Sequence, residues 1–324
     1  MVKIWTRILY LNFINDETGE TITIGKTVDD SKKPRIEITG TKYMSCVKDN
    51  FKIQIYNLTY VQMYLISKRQ LYHVEIYAGY LNGQNYFNFN APKIYDGYML
   101  NMVNSKKSYK DNVTTFIVTS KLVAQSQQWR LNISYQSGVN LYSMMKYVGE
   151  HAGITNMNIS ETFKDTFMAD AASCDSSASS YLEKISETNN TTFMATDSTS
   201  DSEISIFDLS DESRSRTTIL IDPAKGMLID TPEINSSGLT MTSLPVTNYL
   251  VGDTIQLDNS LINTSEGQDS YSGSTKVPNS VYLNAQGQYY IWQVDYNLSN
   301  TNGDFKIQLT CKNKEMFSNL TTSS

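Results

Sequence analysis

The residues that could do chemistry come first. Ile24-Gly25-Lys26-Thr27 has the ending of a phosphate-binding loop. That loop needs a glycine five residues before its second glycine, so that backbone N–H groups can cradle phosphate. The position is held by Glu20, with Gly19 one place off. A carboxylate there repels phosphate, so the segment reads as a strand ending in a turn. The two histidines are His73, on the polar side of a strand, and His151, near the end of a helix, where a cation is mildly favoured. Neither has sequence neighbours spaced as metal ligands. Serines and aspartates are plentiful, but no nucleophile elbow supports a Ser-His-Asp set. The acid pairs Asp16-Glu17, Asp29-Asp30 and Asp211-Glu212 fall in expected loops and read as solvated. No cofactor or metal is expected, and the chain reads as a non-enzyme.

Charge removes another class of function. With 27 Lys and Arg against 33 Asp and Glu, the net charge is −6. A protein that grips nucleic acid shows a basic stripe. Here the cationic residues form only small turn-like patches, Lys32-Lys33 with Arg35 and Lys106-Lys107 with Lys110. Cys46, Cys174 and Cys311 lack metal or redox spacing and read as free thiols of a reducing compartment. No apolar run approaches the roughly 18 residues of a membrane span. Charge interrupts the start, Met1 to Arg7, where a signal peptide would have its apolar core. A soluble protein made in the cytoplasm is expected.

The elements that would position these residues are mostly strands. In Phe51-Lys-Ile-Gln-Ile55 apolar and polar residues alternate, which gives a strand with one buried face. Similar runs cover Lys3 to Ile14, Arg35 to Thr39, His73 to Tyr80, Lys93 to Val103, Val113 to Ser120 and Gln128 to Tyr135. Asn82-Gly83 and Asp96-Gly97 supply turn material. So many short strands suggest a barrel or sandwich over residues 1–136. One helix interrupts it: Thr59 and Gln62 form a capping-box pattern, with Leu58, Val61 and Leu65 on one face.

The period changes at Ser137-Gly138. Asn140 can cap a helix lined by Leu141, Met144, Met145 and Val148. A second helix is expected over Ser176 to Asn189, followed by strands Thr191 to Thr196 and Glu203 to Leu209. Residues 137–210 therefore read as a small α+β module. Strands return at Thr217 to Ile221, Gly238 to Ser243, Thr254 to Leu257, Tyr289 to Leu298 and Asp304 to Cys311. These make a second barrel over residues 211–317, and residues 318–324 read as a disordered tail. The fold class is mainly β, with two β-barrel tube-like domains flanking a helix-containing domain.

The ordered set of segments resembles the central baseplate hub proteins of contractile-tailed bacteriophages over nearly the whole chain. The residues that carry it are Lys52-Ile-Gln-Ile-Tyr-Asn-Leu-Thr59, Val74-Glu-Ile-Tyr-Ala-Gly-Tyr80, Gly138-Val-Asn-Leu-Tyr-Ser-Met-Met145 and Ser179-Ser-Tyr-Leu-Glu-Lys-Ile185 with Thr192-Phe-Met194. Val251-Gly-Asp-Thr-Ile-Gln-Leu-Asp-Asn-Ser260, Tyr290-Ile-Trp-Gln-Val-Asp-Tyr296 and the closing strand to Cys311 complete it. The resemblance implies a homotrimer between a hexameric tail tube and a trimeric spike, with wedge or tape-measure proteins as further neighbours. It also implies a virion tail location after assembly in the host cytoplasm and a share in the DNA ejection channel; from the charge balance and the absence of a long apolar run, neither specific nucleic-acid binding nor membrane insertion is expected. The chain ends soon after the second barrel, so a spike β-helix or lysozyme part is expected on other proteins. A β-rich carbohydrate-binding or adhesion module, with Tyr and Trp stacking on sugars, is the alternative; the order of barrel, module and barrel counts against it. Asn263 to Ser280, rich in Ser, Gly and acids, reads as a mobile inserted loop. Either the loop is an inert surface insertion, or Glu266, Asp269 and Tyr271 are its candidate partner contacts, the tyrosine as anchor and the acids at a polar rim.

Overall fold

The computed structural model describes residues 6–27, 33–44, 49–68, 72–81, 91–106, 111–126, 130–151, 156–168, 171–178, 180–182, 185, 193–197, 204–208, 217–264, 270–272, 275–277 and 279–313. The chain is mainly β, as its alternating runs imply. The first strands are β1 (Thr6–Ile14), β2 (Thr21–Ile24), β3 (Ile36–Tyr43), β4 (Asn50–Tyr56), β5 (His73–Leu81), β6 (Lys93–Lys106) and β7 (Asn112–Thr119). Helix α1 (Tyr60–Ser67) joins β4 to β5, and α2 (Lys121–Ser126) follows β7.

The middle of the chain holds β8 (Arg130–Tyr135), α3 (Leu141–His151), β9 (Met157–Ile159), β10 (Ala172–Ser177), β11 (Phe193–Asp197) and β12 (Ile204–Asp208). Strand β8 pairs β10, β11 pairs β12 antiparallel, and β12 pairs β9 in parallel. Asn140 Oδ1 accepts the Ser143 N–H at 3.1 Å and so starts α3, whose Leu141, Met144, Met145 and Val148 are buried as their spacing requires. With Leu131, Phe163, Tyr181 and Ile206 they form a core of their own. One boundary differs from the sequence reading. Ser176 and Ser177, expected inside the second helix, are the last residues of β10, and the helical residues begin at Ala178. Their ladder to Leu131 and Arg130 outweighs a weak local preference.

The last part contains β13 (Thr218–Leu220), β14 (Glu233–Asn235), β15 (Gly238–Ser243), β16 (Thr254–Gln256), β17 (Ser270–Ser272), β18 (Thr275–Val277), β19 (Gln288–Ser299) and β20 (Phe305–Lys312). The largest sheet runs β14-β15-β20-β19-β3-β4-β7-β6-β5-β1-β2, with β16 on β19 and β13 on β16. Strand β19 pairs β3 from Gln293 opposite Tyr43 to Ser299 opposite Glu37, so early and late strands share one ladder. Their inward residues belong to one apolar cluster, including Leu9, Ile38, Phe51, Ile76, Val294 and Ile307.

Side chains bring this sheet back onto itself. Arg7 Nη1 on β1 donates to Ser299 O at 3.0 Å and Gly303 O at 2.9 Å, and its guanidinium lies over the Phe305 ring. Tyr80 of β5 meets Phe305 edge to face. Tyr296 Oη, buried on β19, donates to Ile94 O at 3.3 Å. Phe51 stacks on Tyr95 at 3.8 Å and leans on Tyr296 at 5.3 Å.

Two local readings need correction. Asp96-Gly97 is no turn but lies inside β6, opposite Glu75 and Val74. A methyl group at Gly97 would come within 2.5 Å of Thr119 O and 2.6 Å of the Tyr95 ring, so the glycine permits a close approach within the strand. In α1 the capping box forms as expected: Thr59 Oγ1 accepts the Gln62 N–H and Gln62 Oε1 accepts the Thr59 N–H, both at 3.2 Å. The buried side of that helix is different, with Ile66 buried and Val61 out in solvent. Tyr60 to Ile66 is apolar on every side except Gln62, so periodicity could not choose the face.

Candidate functional site

On the side of β1, β5 and β6 turned away from the core, the pleat lines up polar residues. Val74, Ile76 and Ala78 of β5 are buried, which turns His73, Glu75 and Tyr77 to the other face. The ladder sets Glu75 between Asn12 and Asp96, and Tyr77 between Tyr10 and Lys93. Glu75 Oε2 accepts from Asn12 Nδ2 at 3.1 Å and from Tyr77 Oη at 2.9 Å. Lys93 Nζ donates to Glu75 Oε1 at 3.2 Å and to Asp96 Oδ2 at 2.6 Å. His73 Nε2 sits against Asp96 Oδ1, and its Nδ1 is 3.4 Å from Asp16 Oδ1. Tyr98 Oη donates to Asp16 Oδ2, and the Tyr98 ring stacks on His73 at 5.3 Å.

Burial sets the baseline for these groups and their partners reverse it. It disfavours the charged imidazole of His73, but hydrogen bonding and charge from Asp96, then the charges of Asp16 and Glu75, raise its pKa. Asp96 is pushed up by burial and brought below the ordinary carboxylate range by His73 and Lys93. Glu75 follows the same course through Asn12, Tyr77 and Lys93.

Two other surfaces can meet a partner. Beyond Met99, no described strand except β7 pairs with β6 over Leu100–Ser105, a backbone edge able to take a further strand. Val103 on that stretch is 50% exposed. Helix α1 offers Tyr60 at 79%, Val61 at 64% and Tyr64 at 52% exposure.

The sequence-derived candidates land unevenly. Glu266 and Asp269 lie outside the described residues. Tyr271 is in β17, its backbone opposite Lys276 of β18, so a short hairpin stands within the span read as loop. Asp29-Asp30, Asp211-Glu212 and the tail from Ser318 also lie outside the described residues. Strand β2 ends at Ile24 as expected, and Lys26 Nζ lies over the Tyr10 ring at 5.2 Å. His151 is an exposed residue at the end of α3, its Nδ1 2.9 Å from Tyr147 O. His73 is the residue that sequence reasoning misjudged. It is half-buried among three carboxylates rather than alone on the surface. The His73-x-Glu75 alternation put two of these groups on one face; the placement of Asp96 depends on a β5–β6 register that includes a bulge at Ile76 and Tyr77.

Neither a protein-family model nor a curated protein sequence matches the chain. Solved structures do match its fold. The 43 kDa tail protein of prophage MuSo2 from Shewanella oneidensis superposes with a TM-score of 0.57 over 96% of this chain and 99% of that one, at 8% identity. The tail protein from Neisseria meningitidis MC58 gives 0.55 over 96% and 98%, also at 8% identity. The chain has the fold of prophage tail proteins. The same tail-protein fold relates it to an Escherichia coli component of the type VI secretion system, itself similar in structure to the T4 tail proteins gp27 and gp5. That match has a TM-score of 0.51 at 9% identity, over 86% of this chain and 73% of the other.

Proposed function

We propose that this chain is a structural hub of a phage tail baseplate, a homotrimer that adapts the hexameric tail tube to a trimeric spike and forms part of the DNA ejection channel. The observation that carries this reading is the length of the fold correspondence. It takes in 96% of this chain and 99% of the Shewanella tail protein, so the comparison is of whole chains. The outer edge of β6 over Leu100–Ser105, where β7 is its one partner among the described strands, supports self-assembly, because its other side can offer N–H and C=O groups to a neighbouring copy. Tyr60 and Tyr64, exposed on α1, offer contact area at low entropic cost. The net charge of −6 suits a conduit that does not hold DNA. On this reading the protein has no catalytic activity, and its partners are the tail tube, the spike and the wedge or tape-measure proteins.

Co-expression with the tail tube and spike proteins of the same phage tests it. The expected result is a complex containing all three, with the hub between the other two in electron micrographs. Recovery of the hub alone, with tube and spike assembling normally without it, would overturn the proposal.

A further inference from the structure

We propose that His73, Glu75 and Asp96 form a site for one divalent transition-metal ion of the zinc type. His73 and Glu75 alternate on β5 and so share a face, and Asp96 lies directly across from Glu75 on β6. The ligand atoms of the three residues all lie within 4.8 Å of one another. Zinc bonds of about 2.0–2.2 Å place neighbouring ligands roughly 3.5 Å apart, so a small inward movement of side chains closes the set. One imidazole with two carboxylates is a donor set that zinc accepts, with water as the fourth ligand.

The surroundings are those of a metal site rather than of a chance group of acids. A histidine that binds metal through one nitrogen usually turns the other to a carboxylate, which fixes the ring. His73 Nδ1 faces Asp16, and Asp16 is in turn held by Tyr98 Oη. The outer oxygen of Glu75 is held by Asn12 and Tyr77, which leaves Oε1 turned inward. All three ligands stand on paired strands, a rigid support. The charge is also out of balance. Lys93 pairs with Glu75 and Asp96, and Asp16 meets the His73 ring, so with the imidazole neutral, as metal binding requires, three carboxylates and one ammonium leave the group at −2, the charge that a divalent ion offsets. Lys93 Nζ, bridging Glu75 Oε1 and Asp96 Oδ2, marks where positive charge is favoured. Its side chain is 29% exposed and can swing into water as the metal enters.

Calorimetric titration of chelator-stripped full-length protein with zinc chloride at neutral pH tests the site, with metal content measured after dialysis. The expected result is one zinc per chain with a Kd of about 1 μM or below. His73→Ala should weaken binding at least tenfold, and Asp16→Asn roughly 10- to 100-fold through the ring it orients. Lys93→Met, which removes the competing cation, should tighten it, and His151→Ala should leave it unchanged. Failure of the wild-type protein to bind zinc overturns the proposal even if a variant misfolds. So does zinc binding that His73→Ala leaves intact, or that Lys93→Met weakens.

Discussion

The contact between Phe51 and Gly40 gives a quantitative test of how the sheet is closed. The two residues face each other across β3 and β4, and Phe51 is fully buried. Its ring fills the space above the glycine, so a methyl group at position 40 would run into it. The same ring stacks on Tyr95 of β6 and leans on Tyr296 of β19, linking early and late strands. An aromatic ring laid over a glycine on a neighbouring strand is a known means of pinning register. Phe51→Ala removes the ring from a packed core and should cost about 3–5 kcal/mol. Gly40→Ala overpacks the same space and should cost about 1–3 kcal/mol. In the double variant the new methyl occupies part of the void and has no ring to meet. Its cost should therefore fall short of the sum of the single costs by about 1 kcal/mol or more. Equilibrium urea unfolding followed by tryptophan fluorescence measures all three, with Trp292 on β19 as one reporter. Additive costs, or a Phe51→Ala loss below about 1 kcal/mol, would refute the packing argument.

Other consequences can be checked one by one. Cys311 is buried, and burial pushes its thiol well above the ordinary range, so iodoacetamide at about pH 8 should label it only after unfolding; labelling in the folded state by peptide mapping would contradict its placement. Burial is the main cause that pushes Tyr135 and Tyr249 up to about 12, so each holds its proton more tightly when folded. Their contribution to stability is full below about pH 10 and is lost as pH rises toward 12. A late group among the 22 tyrosines should therefore ionise only together with unfolding, and reversible ionisation of all of them near pH 10 would count against this. Val103→Asp on the outer stretch of β6, which pairs β7 alone among the described strands, should change chain stability by no more than about 0.5 kcal/mol while weakening self-association, as sedimentation would show; unchanged association would remove that edge from the interface.

Much of the fold could be read from the chain because its causes are local. The Thr59–Gln62 cap, the Asn140 cap and the alternation in β4 and β20 each depend on residues a few positions apart. What stayed hidden depends on distant partners. The β3–β19 ladder joins residues as far apart as Glu37 and Ser299, and no local pattern specifies it. Asp96-Gly97 has turn chemistry, but the approach of Thr119 and Tyr95 uses the glycine inside a strand. The polar cluster was hidden for the same reason. His73 and Glu75 share a face by alternation, while Asp16 and Asp96 reach them through a turn and a bulged register.

Native mass measurement of the purified protein bears most directly on the hub assignment. The assignment predicts one dominant species at three times the 36.7 kDa of the single chain, persisting on dilution through the micromolar range. A species of 36.7 kDa alone across that range would contradict it.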